Sequence, residues 1–188
     1  GAEGIGLYRT EFPFMARNSF PTREEQYHLY RKAIESFEGQ SVTFRTLDVG
    51  GDKHLSYMDT PAEENPTLGW RSIRVSLEHR EIFQTQLEAI LMASQHGQAR
   101  ILFPMVTTID DWRACVESVE TARMALRNEG LDIPIPPLGA MVEAPATISI
   151  ARHIARSASF FALGTNDLIQ YVLAADRGND LVREAIHS

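Results

Sequence analysis

The chain has 188 residues, 44% hydrophobic and 23% charged, enough for one globular domain with a substantial core. A formal net charge of −7 argues against nucleic acid as a general partner, although a local group of arginines can still hold a small anion. The single cysteine excludes an internal disulfide framework; with no membrane-length apolar run and no signal-peptide pattern, a cytoplasmic location is expected.

In chain order, short apolar strands alternate with amphipathic helices. GIGLYR (4–9) reads as a strand, and PTREEQYHLYRKAIESF (21–37) as a helix opened by a Thr22/Glu25 capping box. SVTFRTLDV (41–49) is the second strand. A Gly/Pro/Asp-rich loop follows, and then helical pieces from Leu68 to about Ser94. ILFPMV (101–106) is the third strand, and the next helix opens on Thr108 with Asp111 and closes at Asn128-Glu129-Gly130. PLGAMVE (137–143) and SFFALG (159–164) are the fourth and fifth strands, flanking the helix APATISIARHIARS. A last helical pattern runs from Val182 to His187.

Strands alternating with helices predict parallel pairing through crossovers, in either an open doubly wound sheet or a closed eight-stranded barrel. At roughly 38 residues per unit the chain holds five units, against about 250 residues for a whole barrel. Both ends read as cut, within one domain spanning 1–188.

Charge collects where strands end. The first closes on Arg9-Thr10-Glu11, the second on Arg45-Thr46-Leu47-Asp48, the fourth on Glu143, and the fifth on Asn166-Asp167. Parallel folds place their active sites at these carboxyl ends, and charges there are costly to desolvate unless they meet each other or a ligand. Two acids suit Mg²⁺, which takes one or two carboxylates plus substrate oxygens, and arginine's planar fork suits phosphate. The competing account makes Asn166 or Asp167 a helix N-cap and each arginine a strand-end ion pair, for instance Arg9 with Glu11.

Seven ordered blocks, GIGLYRTEFPFM, RTLDVGGDK, ENPTLGWRSIR, ILFPMV, GAMVEAP, GTNDLIQY and DRGND, resemble the phosphoenolpyruvate-binding barrel of the Enzyme I family of the bacterial sugar phosphotransferase system. The resemblance implies an incomplete (β/α)8 TIM-type barrel of α/β class, holding the second to sixth strands. It implies that Glu143 and Asp167 ligate Mg²⁺, and that Arg9, Arg45 and Arg177 clamp the phosphate of phosphoenolpyruvate, assisted by Asn166. Lys53 and Arg71 match further basic positions.

In that family the phosphate passes to a histidine on a separate domain that docks a phosphocarrier protein. A cysteine on the seventh strand protonates the enolate. Both are expected outside this chain, which alone is expected to be inactive. The histidines at 28, 54, 79, 96, 153 and 187 lack the glycine-rich phosphohistidine context, and Cys115 shares an apolar helical stripe with Ile109, Trp112 and Val119. Unpaired edges of an open barrel predict self-association, as a homodimer. The residues after DRGND depart from the family pattern. Two alternatives are a relative of pyruvate phosphate dikinase and phosphoenolpyruvate synthase, which shares the first, fourth and sixth blocks, and a non-catalytic dimerisation or phosphoenolpyruvate-sensing module.

Overall fold

The computed structural model describes residues 3–51 and 53–182, so Asp52 and the helical pattern expected over 182–187 lie wholly or mostly outside the described residues. Five strands form one sheet: β1 (Gly4–Arg9), β2 (Ser41–Arg45), β3 (Ala99–Phe103), β4 (Leu138–Val142) and β5 (Phe160–Leu163). They lie side by side in chain order, and every pair is parallel. A doubly wound sheet must reverse its strand order at a switch point; this one never reverses, and it curls as part of a barrel wall. The incomplete α/β barrel is thereby selected over the open sheet.

The outer layer is helical. α1 (Glu11–Met15) is a single turn directly after β1, and α2 (Arg23–Glu35) follows. α3 (Ile73–Glu78) and α4 (Arg80–Ser94) come after the long loop, with a 3₁₀ turn at Pro66–Leu68 inside it. α5 (Ile109–Asn128), α6 (Pro145–Ile154) and α7 (Thr165–Leu173) complete the set. Contacts run α2 to α4, α4 to α5, α5 to α6 and α6 to α7, so the layer is built in the order of the strands beneath it. Both predicted capping boxes are present: Thr22 accepts from the Glu25 amide and Thr108 from the Asp111 amide, with each acid returning the bond to its cap.

Strand alternation sorts the side chains. Val42 and Phe44 on β2, Ile101 and Phe103 on β3, and Leu138 and Ala140 on β4 face the helices and form the main core with Ile34, Leu87, Ile90 and Val119. Cys115 lies in that core on α5, as its spacing predicts, where burial pushes its thiol up. Thr43 and Arg45 occupy the opposite face of β2. Arg45 therefore points into the barrel because it stands one residue beyond Phe44.

β1 reaches the same result by a detour. Ile5 pairs with Val42 but Tyr8 pairs with Phe44, so one extra residue is inserted between them. Without it Tyr8 would stand beside Arg45. With it Tyr8 stacks on Phe44, at 5.2 Å between ring centroids, and Arg9 takes register with Arg45.

The second strand is shorter than its apolar pattern predicts, ending at Arg45 instead of Val49. Beyond it the Thr46 amide still bonds the Leu102 carbonyl, but the Leu47 amide donates to the Gln86 side chain at 2.8 Å. A side chain from α4 has replaced a strand as the backbone partner. The same amide group of Gln86 donates to Thr10 Oγ1 and Tyr30 Oη, and Thr10 Oγ1 donates to the Arg45 carbonyl at 2.8 Å. This buried network fixes the backbone on both sides of the Arg45 side chain.

Candidate active site

At the carboxyl ends of the strands a cavity of about 610 Å³ opens. All eight residues singled out in the sequence line it: Arg9, Arg45, Lys53, Arg71, Glu143, Asn166, Asp167 and Arg177. They come from β1, β2, the long loop, the end of β4, α7 and the segment after α7, so only the fold brings them together. No described histidine is among its lining residues, nor is Cys115.

Two acids hold the basic side chains in place. Arg45 Nη2 lies 2.5 Å from Glu11 Oε1 and 2.9 Å from Asp48 Oδ2, and Lys53 Nζ reaches the same two oxygens at 3.1 and 2.5 Å. Glu11 is thus taken by Arg45 and Lys53, and the Arg9–Glu11 pair considered from sequence does not form. Asp48 also receives Arg71 Nη2 at 3.4 Å and the Ser72 hydroxyl. Burial alone would raise the Asp48 carboxyl, but the adjoining charges of Arg45, Lys53 and Arg71 outweigh it and hold that carboxyl well below the usual carboxylate range.

Backbone geometry delivers these groups. Gly50 and Gly51 turn the loop with φ of 90° and 65°, and a Cβ on Gly50 would stand 2.4 Å from the Trp70 carbonyl oxygen. That close approach lets Gly50 bridge both Lys53 and Arg71.

Glu143 and Asp167 complete the site. Glu143 is buried; its Oε1 accepts the Met105 amide at 2.7 Å, from a backbone with φ of 52°. Burial, with the negative charges of Asp48 and Asp167 nearby, pushes its carboxyl up to about 7 despite that bond and the proximity of Arg45. Gly164 leaves the room this carboxyl needs: a Cβ there would lie 2.9 Å from Glu143 Oε2.

Asp167 is third in α7, behind Gly164 at the N-cap, and no side chain caps this helix. The N-cap account of the Asn-Asp pair therefore fails. Asp167 turns to cations instead, with Oδ2 3.4 Å from Arg71 Nη2 and Oδ1 3.5 Å from Arg177 Nη1. The latter contact meets the distance of an ion pair without the geometry of a hydrogen bond, leaving Oδ1 with no donor.

Sequence reasoning named Glu11 and Asp48 as strand-end charges but gave them no role. Gln170 and Tyr171 it missed: Gln170 Oε1 accepts the Arg177 amide at 3.2 Å, and the Tyr171 hydroxyl contacts Arg71. Their spacing from Asp167, three and four residues along one helix, was the available signal.

The arrangement fits a hard divalent cation at Glu143 and Asp167. Among the described residues no group of three or more His, Cys, Asp or Glu forms a closed cage. Mg²⁺ does not need one, since it keeps waters and takes substrate oxygens. An acid raised by burial and by neighbouring negative charge, and a buried carboxylate oxygen without a donor, are both relieved by a cation. Arg45 Nε and Arg71 Nε are likewise buried without acceptors, ready for an anion.

The family described as PEP-utilising enzyme, PEP-binding domain, matches residues 1–188. Proteins named phosphoenolpyruvate-protein phosphotransferase are similar along nearly the whole chain. That of Buchnera aphidicola subsp. Schizaphis graminum (strain Sg) is 50% identical over 184 residues, that of Haemophilus influenzae 48% over 184, and that of Staphylococcus carnosus 50% over 183. Each alignment covers 97% of this chain and 32% of the relative, so the chain spans about a third of the length of these relatives.

Proposed function

The chain belongs to the family of PEP-utilising enzymes, as their PEP-binding domain, and on that footing we propose that it is the phosphoenolpyruvate- and Mg²⁺-binding part of a phosphoenolpyruvate-protein phosphotransferase. The observation that carries this reading is the convergence of all eight predicted residues on one cavity. The names of the similar proteins favour it over a dikinase. Charge supports it too. With every acid ionised, five cationic side chains stand against Glu11, Asp48, Glu143 and Asp167, an excess of one positive charge. A divalent cation raises the excess to a level that matches trianionic phosphoenolpyruvate.

In this reading Glu143 and Asp167 hold Mg²⁺, which supplies neutralisation of charge on the phosphate and on the departing enolate. Arg45 and Arg71 offer their unpaired Nε groups to the anion, and Arg9 and Arg177 line the same cavity. Because Glu11 and Asp48 have already fixed Arg45 and Lys53, little reorganisation is left for the moment of transfer. Phosphoryl transfer needs positioning and charge stabilisation more than covalent chemistry from the protein. The acceptor is a histidine on a separate domain, which passes the phosphate to a carrier protein, and pyruvate is the other product.

Arg45→Lys in the full-length protein tests the clamp. Lysine keeps the charge but loses the planar fork that spans Glu11, Asp48 and the anion at once. The expected result is a KM for phosphoenolpyruvate raised by about tenfold or more. Unchanged KM and kcat would remove Arg45 from the site.

Self-association through the open edges belongs to the same proposal. Along the edge strand β5, Leu163 is 72% exposed, and Phe161, two residues before it, is exposed as well. Light scattering on the 188-residue chain should find species of at least twice 21.1 kDa. A stable monomer would contradict it.

A further inference from the structure

The guanidinium of Arg71 is fully buried, yet only one of its three nitrogens is held by acids. Asp48 Oδ1 and Asp167 Oδ2 both lie 3.4 Å from Nη2, and Nε has no acceptor. Two contacts to one nitrogen do not by themselves fix the plane of the group. Among the described residues the remaining hydrogen bond of the group goes to Tyr171, whose hydroxyl accepts from Nη1 at 3.2 Å. That hydroxyl also donates to the Thr67 carbonyl, in the 3₁₀ turn of the long loop. With its one proton given to Thr67, its lone pairs face Arg71, and the direction of both bonds is set.

We infer that Tyr171 is a positioning residue: it orients the Arg71 guanidinium toward phosphoenolpyruvate and latches the loop carrying Asp48, Lys53 and Arg71 onto α7. The inference rests on the proposed reading that Arg71 meets the substrate. Its geometry follows from helix spacing, because Asp167 and Tyr171 are four residues apart and reach two different nitrogens of one arginine from one face of α7. A neutral partner suits the task. Arg71 already has two carboxylates beside it, and a third would compete with an anionic substrate for the same group. The phenol restrains the fork and leaves its charge available.

The test is a double-mutant cycle in the full-length protein, with KM and kcat for phosphoenolpyruvate-dependent phosphorylation and the Kd for phosphoenolpyruvate in Mg²⁺ by calorimetry. Tyr171→Phe keeps the ring and removes one oxygen; KM and Kd should rise about tenfold, the scale of a hydrogen bond to a charged group, with kcat changed less than about threefold. In an Arg71→Lys background the same change should have under about a twofold effect, because the fork it orients is gone. Val172→Ala, on the exposed side of α7, should leave KM unaltered and controls for loosening of the helix. Unchanged KM in Tyr171→Phe, equal losses in both backgrounds, or a loss matched by Val172→Ala would each overturn the inference. A wild-type protein that neither binds phosphoenolpyruvate nor is phosphorylated by it would instead overturn the proposed function.

Discussion

Replacing Glu143 or Asp167 by alanine in the full-length protein is expected to lower the rate of phosphoryl transfer by about 10² or more. Each change removes one of the two carboxylates proposed to hold Mg²⁺. Glu11 and Asp48, the next acids, are committed to Arg45, Lys53 and Arg71. Asp167→Ala also strips Arg71 and Arg177 of a partner, so its loss should be at least as large as that of Glu143→Ala. Initial rates with labelled phosphoenolpyruvate at saturating Mg²⁺ make the comparison. Near-normal rates in either variant would remove that residue from the metal site.

Asp48→Ala is expected to cost about 3–5 kcal/mol of folding stability, the range for breaking a buried ion pair from one side. Asp48 is 2% exposed and faces Arg45, Lys53 and Arg71, with Ser72 as a fourth donor. Its removal leaves buried positive charge that Glu11 cannot balance alone. The effect carries a pH signature. The Asp48 carboxyl lies lower in the folded protein than in the unfolded chain, where aspartate titrates near ~3.9. Its contribution is therefore fully present above roughly pH 4 and is lost as pH falls through the lower folded value. Urea unfolding of wild type and variant should show a gap that is constant from about pH 5 to 7 and narrows below about pH 4. A gap under about 1 kcal/mol at neutral pH would show that the surroundings relax around the missing acid.

These three acids differ in how far the sequence revealed them. Glu143 directly follows the apolar strand β4 and Asp167 stands four residues beyond the apolar β5, and a carboxylate so close behind an apolar run is conspicuous. Arg45 was visible for the same reason, and alternation from Val42 to Arg45 fixes its direction. The capping boxes at Thr22 and Thr108 were local four-residue signals and needed no tertiary knowledge. Asp48 was visible as a charge but not as the junction of three cations, because two of its partners arrive from a loop whose path no periodicity records.

The extra residue between Ile5 and Tyr8 was also out of reach, since both registers keep a plausible apolar pattern. What selects one is the packing of Tyr8 against Phe44 and Tyr30. The end of β2 was overrun because Leu47 and Val49 are apolar and buried, in the smaller cluster around Phe14, without being in the sheet. Apolar spacing predicts burial, and here the hydrogen bond that the Leu47 amide donates to Gln86 decided the conformation. Tyr171 stood in the GTNDLIQY block with no role of its own; its hydroxyl acquires meaning only once Arg71 and Thr67 are beside it.

On the proposed reading this cavity holds a divalent cation and phosphoenolpyruvate together. The most direct measurement is diffraction from crystals of the full-length protein grown with phosphoenolpyruvate and Mn²⁺ in place of Mg²⁺, with anomalous differences recorded at the manganese edge. The expected result is one manganese bound by Glu143 and Asp167, with the phosphate of phosphoenolpyruvate between it and Arg45. Manganese and substrate bound elsewhere, with this cavity holding neither, would contradict the account.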